Sequence, residues 1–405
     1  HECNTMYATV QILRSKGERK NSATLALKGL KLAIKYEFIE LSYLFAELLA
    51  YNAGVFESNK KDFQKYSELA KRYLVNLNDY HLVRKYYTEI GLGVNSARGL
   101  SKSLMEQASR YAKEVKPMTN SDSVHIRNIA FNIIIADCSM RKDFSGVITN
   151  CDAALNQLGE AVEKRFSFCY KKIPAYLSTR QYQEAKGMAR ESMGLVKTGS
   201  YNWNVALFYR VIACNYNQDY QEAYDLYKAA SEKKQFSKAM EEQWQIIKAY
   251  LSLIAMDGKI DNYGNVKLRL GKFLNEIEVF TKDKSGNYAH IYIIKTLLLL
   301  KQKKYGQFID SVEAMDKFCQ RHLTGKESAR TRTLIKMLAS IAKHDFHKSA
   351  VIRNNRSAIR KLKSTNTTNP ELEIIPFGDL WSLAIDGLAD KRKKVRAKKA
   401  ISIAT

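Results

Sequence analysis

The chain has 405 residues, 66 of them Lys or Arg against 41 Asp or Glu, for a formal charge of +25. At 45% hydrophobic and 26% charged it has the composition of an ordinary folded protein, long enough for two or three domains or one repeat array. Only 4 residues are Pro, against about 5% of an average protein. That excludes a Pro-rich linker and a loop-dense all-β fold, and favours long uninterrupted helices. No run of about 18 apolar residues occurs, so no membrane-spanning helix is expected; the longest candidate, Ile291 to Leu300, is broken by Lys295. His1-Glu2-Cys3 lacks the charged-then-apolar order of a signal peptide. It also lacks an initiator Met, which leaves room for a domain upstream of it. The Cys at 3, 138, 151, 169, 214 and 319 form no CxxC pair. They read as buried reduced thiols, pointing to a reducing compartment and a cytoplasmic location.

Along the chain one phrase recurs, a polar pair followed by Phe or Tyr and a helical run. It occurs as Lys61-Asp62-Phe63, Lys142-Asp143-Phe144, Arg180-Gln181-Tyr182, Gln218-Asp219-Tyr220, Asp261-Asn262-Tyr263, Lys303-Lys304-Tyr305 and His344-Asp345-Phe346. The aromatics are 81, 38, 38, 43, 42 and 41 residues apart, and the longest gap is two periods meeting at Ser101. With a further unit at Leu25, nine repeats of 38 to 43 residues are expected. Seven residues after each anchor, eight of nine positions are apolar; nine before it, six of eight are. Each unit reads as two helices. Val205 to Asn215 and Glu242 to Ala255 are first helices, and the second opens near the aromatic, with the preceding Asp or Asn suited to cap it. Tyr220, Ala223, Tyr227 and Ala230 then form one helix face. A single pair cannot bury that face, so neighbours must stack into an all-α solenoid.

Asp219-Tyr220-Gln221-Glu222-Ala223-Tyr224-Asp225-Leu226-Tyr227-Lys228-Ala229-Ala230 resembles the second helix of a tetratricopeptide repeat, and Arg180-Gln181-Tyr182-Gln183-Glu184-Ala185 is similar. The resemblance covers about residues 20 to 360, with a longer period than the family's and without its closing Pro. It implies a right-handed superhelix with a concave groove lined by first helices. Counting back from the anchors places Tyr51, Val55, Ile129, Asn132, Ser167, Tyr170, Phe208, Ile212, Asn215, Lys248 and His290 in that lining. The family's carboxylate-gripping Asn and Lys or Arg are missing, since the position eight back reads Val55, Ala136, Pro174, Ile212, Ala255 and Leu297. A mixed aromatic and apolar groove suits a docked helix or extended peptide.

The repeats end at Leu362, so the solenoid is expected over residues 1–362 and a linker with a capping or docking segment over 363–390. Ile374 to Phe377 reads as a short extended piece before an amphipathic helix that covers the last repeat. Alternatively the segment docks another protein through Phe377 and Trp381. The tail 391–405 opens with Lys391, Arg392, Lys393, Lys394, Arg396, Lys398 and Lys399, seven basic residues in nine. It is a solvated terminus or a polyanion-binding arm.

Catalytic signatures are missing: no Gly-rich phosphate loop and no GxSxG elbow occur. His344 and His347 beside Asp345 offer two metal ligands and no third. Cys169 has no His near it in sequence and an apolar setting. No enzymatic activity, metal or cofactor is expected. Three functions remain. The first is a scaffold or adaptor holding a protein or peptide in the groove. The second is a helical protein associated with nucleic acid, drawn by its charge and its 24 Tyr. The third is the peptide-sensing, regulatory half of a larger system. Either end of a solenoid could also pair with a second copy.

Overall fold

The recurring phrase is the turn between two helices. In the computed structural model, described here for residues 1–96, 101–158, 162–261, 287–323 and 328–389, a first helix closes on a residue in the left-handed region. Lys142, Arg180, Gln218 and Lys303 have φ of 61°, 63°, 63° and 57°. Around each, two amides turn back into the helix just ended. In the third, Gln218 N–H donates to Asn215 O at 3.1 Å and Asp219 N–H to Cys214 O at 2.9 Å. This is the Schellman closure, here made by long polar residues rather than Gly. The next helix begins two residues on, with the aromatic as its first residue at Phe144, Tyr182, Tyr220 and Tyr305.

The caps differ from the expectation. Asp143 does cap, accepting from the Gly146 amide at 2.9 Å. Asp219 makes no capping bond; its carboxylate accepts from Lys186 Nζ at 2.6 Å and Asn217 Nδ2 at 2.7 Å. At the last turn His347, not Asp345, is the cap, its Nδ1 accepting from the Ala350 amide at 3.3 Å. That commits His347 to the backbone. At the weak repeat Ser101 is an N-cap, accepting from the Leu104 amide at 3.1 Å.

The described residues form seventeen α-helices and no strand. The chain divides into two compact units, His1–Gly159 and Glu160–Thr405. The first contains α1 (Glu2–Ser15), α2 (Arg19–Lys35), α3 (Ile39–Val55), α4 (Lys60–Ser96), α5 (Lys102–Val115), α6 (Val124–Met140) and α7 (Phe144–Leu158). The second contains α8 (Val162–Ser178), α9 (Tyr182–Gly194), α10 (Tyr201–Tyr216), α11 (Tyr220–Glu232), α12 (Glu241–Ala255), α13 (Asn287–Lys301), α14 (Tyr305–His322), α15 (Ala329–Lys343), α16 (Lys348–Ser364) and α17 (Phe377–Asp386). Within each unit helices joined by short turns pack on one another, the stacking of an α-solenoid. Anchor Tyr263 and its partner position Leu270 lie outside the described residues.

One departure lies in the first unit. The second helix expected from Phe63 and the first helix expected before Ser101 are one helix, α4, of 37 residues. Its start packs Tyr66 and Ala70 with α1 to α3, and its end packs Val83, Tyr86 and Ile90 with α5 and α6. The stretch Leu77-Asn78-Asp79-Tyr80 contains no Gly or Pro to stop a helix. Leu92, the apolar position nine residues before Ser101, is 68% exposed. Helices α2 and α3 approach closely because position 29 is Gly; a Cβ there would stand 2.4 Å from the fully buried ring of Phe45.

The second unit has one continuous core from Ile173 to Leu388. It includes the C-terminal segment: Phe377, Leu380, Trp381 and Leu383 are buried on α15 and α16. Phe377 at 1% and Trp381 at 5% exposure therefore have no surface for docking another protein. That expectation is corrected in favour of a cap, because the open apolar end of the last repeat is covered by these side chains.

Candidate functional site

Side chains of the second unit hold a stretch of their own chain, a strap over residues 365–376, together with the residues that flank it at 362–363 and 379. Five helices or turns contribute. Arg180, in the turn before α9, donates to Asn366 Oδ1 at 2.7 Å and Lys363 O at 2.6 Å. On α10, Tyr209 donates its hydroxyl proton to Glu371 Oε1 at 2.5 Å, and Asn215 Nδ2 donates to the Ile374 carbonyl at 3.2 Å. On α11, Tyr220 donates to Asp379 Oδ2 at 2.8 Å. On α13, His290 Nε2 meets the Glu371 carbonyl at 2.9 Å. On α15, Arg330 meets Glu373 with Nε to Oε2 and Nη2 to Oε1, both 2.7 Å. Arg330 Nη1 also donates to the carbonyls of Leu362 and Thr365 at 3.0 and 2.6 Å.

Burial sets the charge states of this grip. His290 is 2% exposed, and burial lowers its pKa to about 4, so it is neutral at pH 7. A carbonyl only accepts, so the imidazole proton is on Nε2, and Nδ1 accepts from the Tyr250 hydroxyl at 2.9 Å. Burial, with Glu371 beside it, holds the Tyr209 phenol well above its usual range, so it remains a donor. Glu373 is 2% exposed and accepts from both prongs of the guanidinium and from the Phe377 amide at 2.9 Å. This is a buried, bidentate ion pair whose carboxylate accepts three hydrogen bonds.

Beside the strap the same face stays open as a cavity of about 370 Å³. Phe166 and Tyr170, one turn apart on α8, stack with centroids 5.3 Å apart and form one wall. Tyr201, Val205, Phe208 and Tyr209, one face of α10, form another. Gln243 of α12 and Glu371 and Ile374 of the strap also line it. Glu371 is the one charged residue among the described lining; no Lys or Arg lines it.

The residues expected to line a groove divide accordingly. Tyr170 and Phe208 line the cavity, and Asn215 and His290 grip the strap. Ile212, at 0% exposure, belongs to the core, and its place in the lining is corrected. Lys248 is half-buried outside the cavity. In the first unit Tyr51 is 48% exposed with Arg14 5.4 Å above its ring, while Asn132 is buried and bonds back to Asn128 within α6 at 2.8 Å. The first unit has its own concavity of about 400 Å³, lined in part by Glu37, Tyr80, His81 and His125. Among the described residues no group of three or more His, Cys, Asp or Glu is placed to hold a metal. The six cysteines are buried; burial pushes Cys169 up to about 11 and Cys214 up to about 12, so both stay thiols at neutral pH. Lys391, Arg392, Lys393, Lys394, Arg396, Lys398 and Lys399 lie outside the described residues.

Counting back from the anchors missed Phe166, Tyr201, Tyr209 and Arg330. It also missed the strap's acids, although Glu371 and Glu373, a close acidic pair beside Ile374-Ile375 in so basic a chain, are a visible signal. No helix of the described residues is long and apolar enough to cross a membrane. Set against family models, curated proteins and solved structures, the chain matches none.

Proposed function

We propose that this is a non-enzymatic interaction scaffold, tetratricopeptide-like in its repeats, whose second unit binds an extended protein segment on its inner face. The observation that carries this reading is the strap. Asn215 and His290 donate to main-chain carbonyls of this segment, at Ile374 and, within the 3-10 turn Pro370–Leu372, at Glu371, which is sequence-tolerant recognition of a peptide backbone. The cavity beside the strap offers aromatic walls of the kind that anchor protein interfaces. Two further features fit. Of the sixteen large apolar side chains exposed among the described residues, fourteen lie between Ile12 and Val94, more apolar surface than one end of a self-contained unit needs. The cavity is also not lined by Lys or Arg, which favours a peptide over nucleic acid as its occupant.

A random-peptide library selected on the intact chain tests the reading. Sequences enriched over a blank surface should bind the chain and lose about tenfold in affinity on Tyr201→Ala, a loss of the size expected for an aromatic anchor. Tyr201 is 57% exposed, so its removal leaves the core intact. No enrichment, or enriched peptides indifferent to Tyr201→Ala and Tyr170→Ala, would contradict it.

A further inference from the structure

The cavity's chemistry narrows what the partner must present. Its lining is aromatic on two helices, Phe166 and Tyr170 of α8 and Tyr201 and Phe208 of α10, of which the two Tyr are the more open to solvent. Aromatic faces attract cations through the ring quadrupole. Its one charge among the described lining is the carboxylate of Glu371, which uses Oε1 to accept from Tyr209 and is exposed as a residue. The Gln243 carboxamide, also in the wall, has an enclosed oxygen with no hydrogen-bond partner among the described residues.

Among the described residues no Lys or Arg is part of the lining. Lys171 is near, with Nζ 5.8 Å from the Tyr170 centroid, but it donates to Ser167 Oγ at 3.2 Å and is not part of the lining. The overall positive charge is screened beyond about 8 Å at physiological salt, so the adjacent carboxylate governs what enters.

We propose that the cavity receives the guanidinium side chain of an arginine carried by a partner peptide. A guanidinium is planar, stacks on aromatic faces and is weakly hydrated, and its several donors can pair with the Glu371 carboxylate. An ammonium is strongly hydrated and offers no plane, and a quaternary ammonium offers no donor. The inference rests on the peptide-binding reading and adds the residue the peptide must present.

The test is a ligand-observed NMR titration of the full chain with the N-acetyl N-methylamides of arginine, lysine and citrulline. Citrulline keeps the shape of arginine without the charge. The arginine amide should bind about tenfold more tightly than the citrulline amide, equivalent to about 1.4 kcal/mol, and more tightly than the lysine amide. Glu371→Gln keeps an oxygen for Tyr209 and should erase the preference over citrulline; Tyr201→Ala should weaken arginine binding about fivefold while the unfolding midpoint stays unchanged. Equal binding of the arginine and citrulline amides, no saturable binding of the arginine amide, or lysine matching arginine would overturn the proposal. The two readings fail separately. Library peptides that bind through Tyr201 without an arginine would leave the scaffold standing and sink the guanidinium site. A selective arginine amide with no enriched peptide would do the reverse.

Discussion

Arg330→Met is expected to destabilise the second unit by roughly 3–5 kcal/mol, the cost of leaving one member of a buried pair without its partner. The residue it strands, Glu373, is 2% exposed and would keep the Phe377 amide as its remaining donor. The carbonyls of Leu362 and Thr365 lose their shared donor in the same step. In a unit of this size the thermal midpoint should fall by on the order of 10 °C. Arg330→Lys should recover little, because an ammonium cannot make the two parallel bonds of the fork. Adding Glu373→Gln to Arg330→Met should recover part of the loss, since the stranded charge is then gone. Denaturant unfolding of the three variants measures this coupling. A loss under 1 kcal/mol for Arg330→Met would mean that the strap is not held as described.

The second large effect is on pH. His290 has a folded pKa of about 4 against about 6.5 for an unperturbed imidazole. Between those values the unfolded chain binds a proton that the folded chain excludes, so acid favours unfolding. The contribution is fully present above pH ~6.5 and is lost as pH falls towards ~4; it amounts to about 3 kcal/mol. Asp219 and Asp257 are held below their usual range, burial opposing their Lys partners without overcoming them, so they act in the same direction but lower in pH. The informative quantity is therefore the difference between the parent and His290→Gln. The variant should be less stable at pH 7.5 and should lose less stability than the parent between pH 6.5 and 4.5. Parallel curves would place the imidazole in contact with water.

The sequence made the repeat legible for a reason that the turns explain. Lys142, Arg180, Gln218 and Lys303 occupy left-handed positions, and the aromatic two residues on starts the next buried stripe, so three consecutive residues carry one turn. The fused helix α4 was not legible, because helices stop on local signals and residues 77–80 carry none. The strap was legible only as an acidic, Ile-rich interruption. Its contacts join Arg180 to Asn366 and Asn215 to Ile374 across more than 150 residues, and no periodicity reports pairings of that separation. Counting back from the anchors therefore found Tyr170, Phe208, Asn215 and His290, which sit on the repeat, and missed Glu371 and Glu373, which do not.

Hydrogen exchange of the intact chain tests most directly whether the second unit's inner face holds a polypeptide. The amides of Leu372, Glu373 and Phe377 donate within or onto the strap, to Asn369 O, Pro370 O and Glu373 Oε1. If the strap belongs to the folded face, these amides exchange only when the unit opens globally, at rates shared with the core of α10 and α13. Arg330→Met should then raise their exchange ahead of the core's. Exchange at free-peptide rates in the unmodified chain would contradict the account.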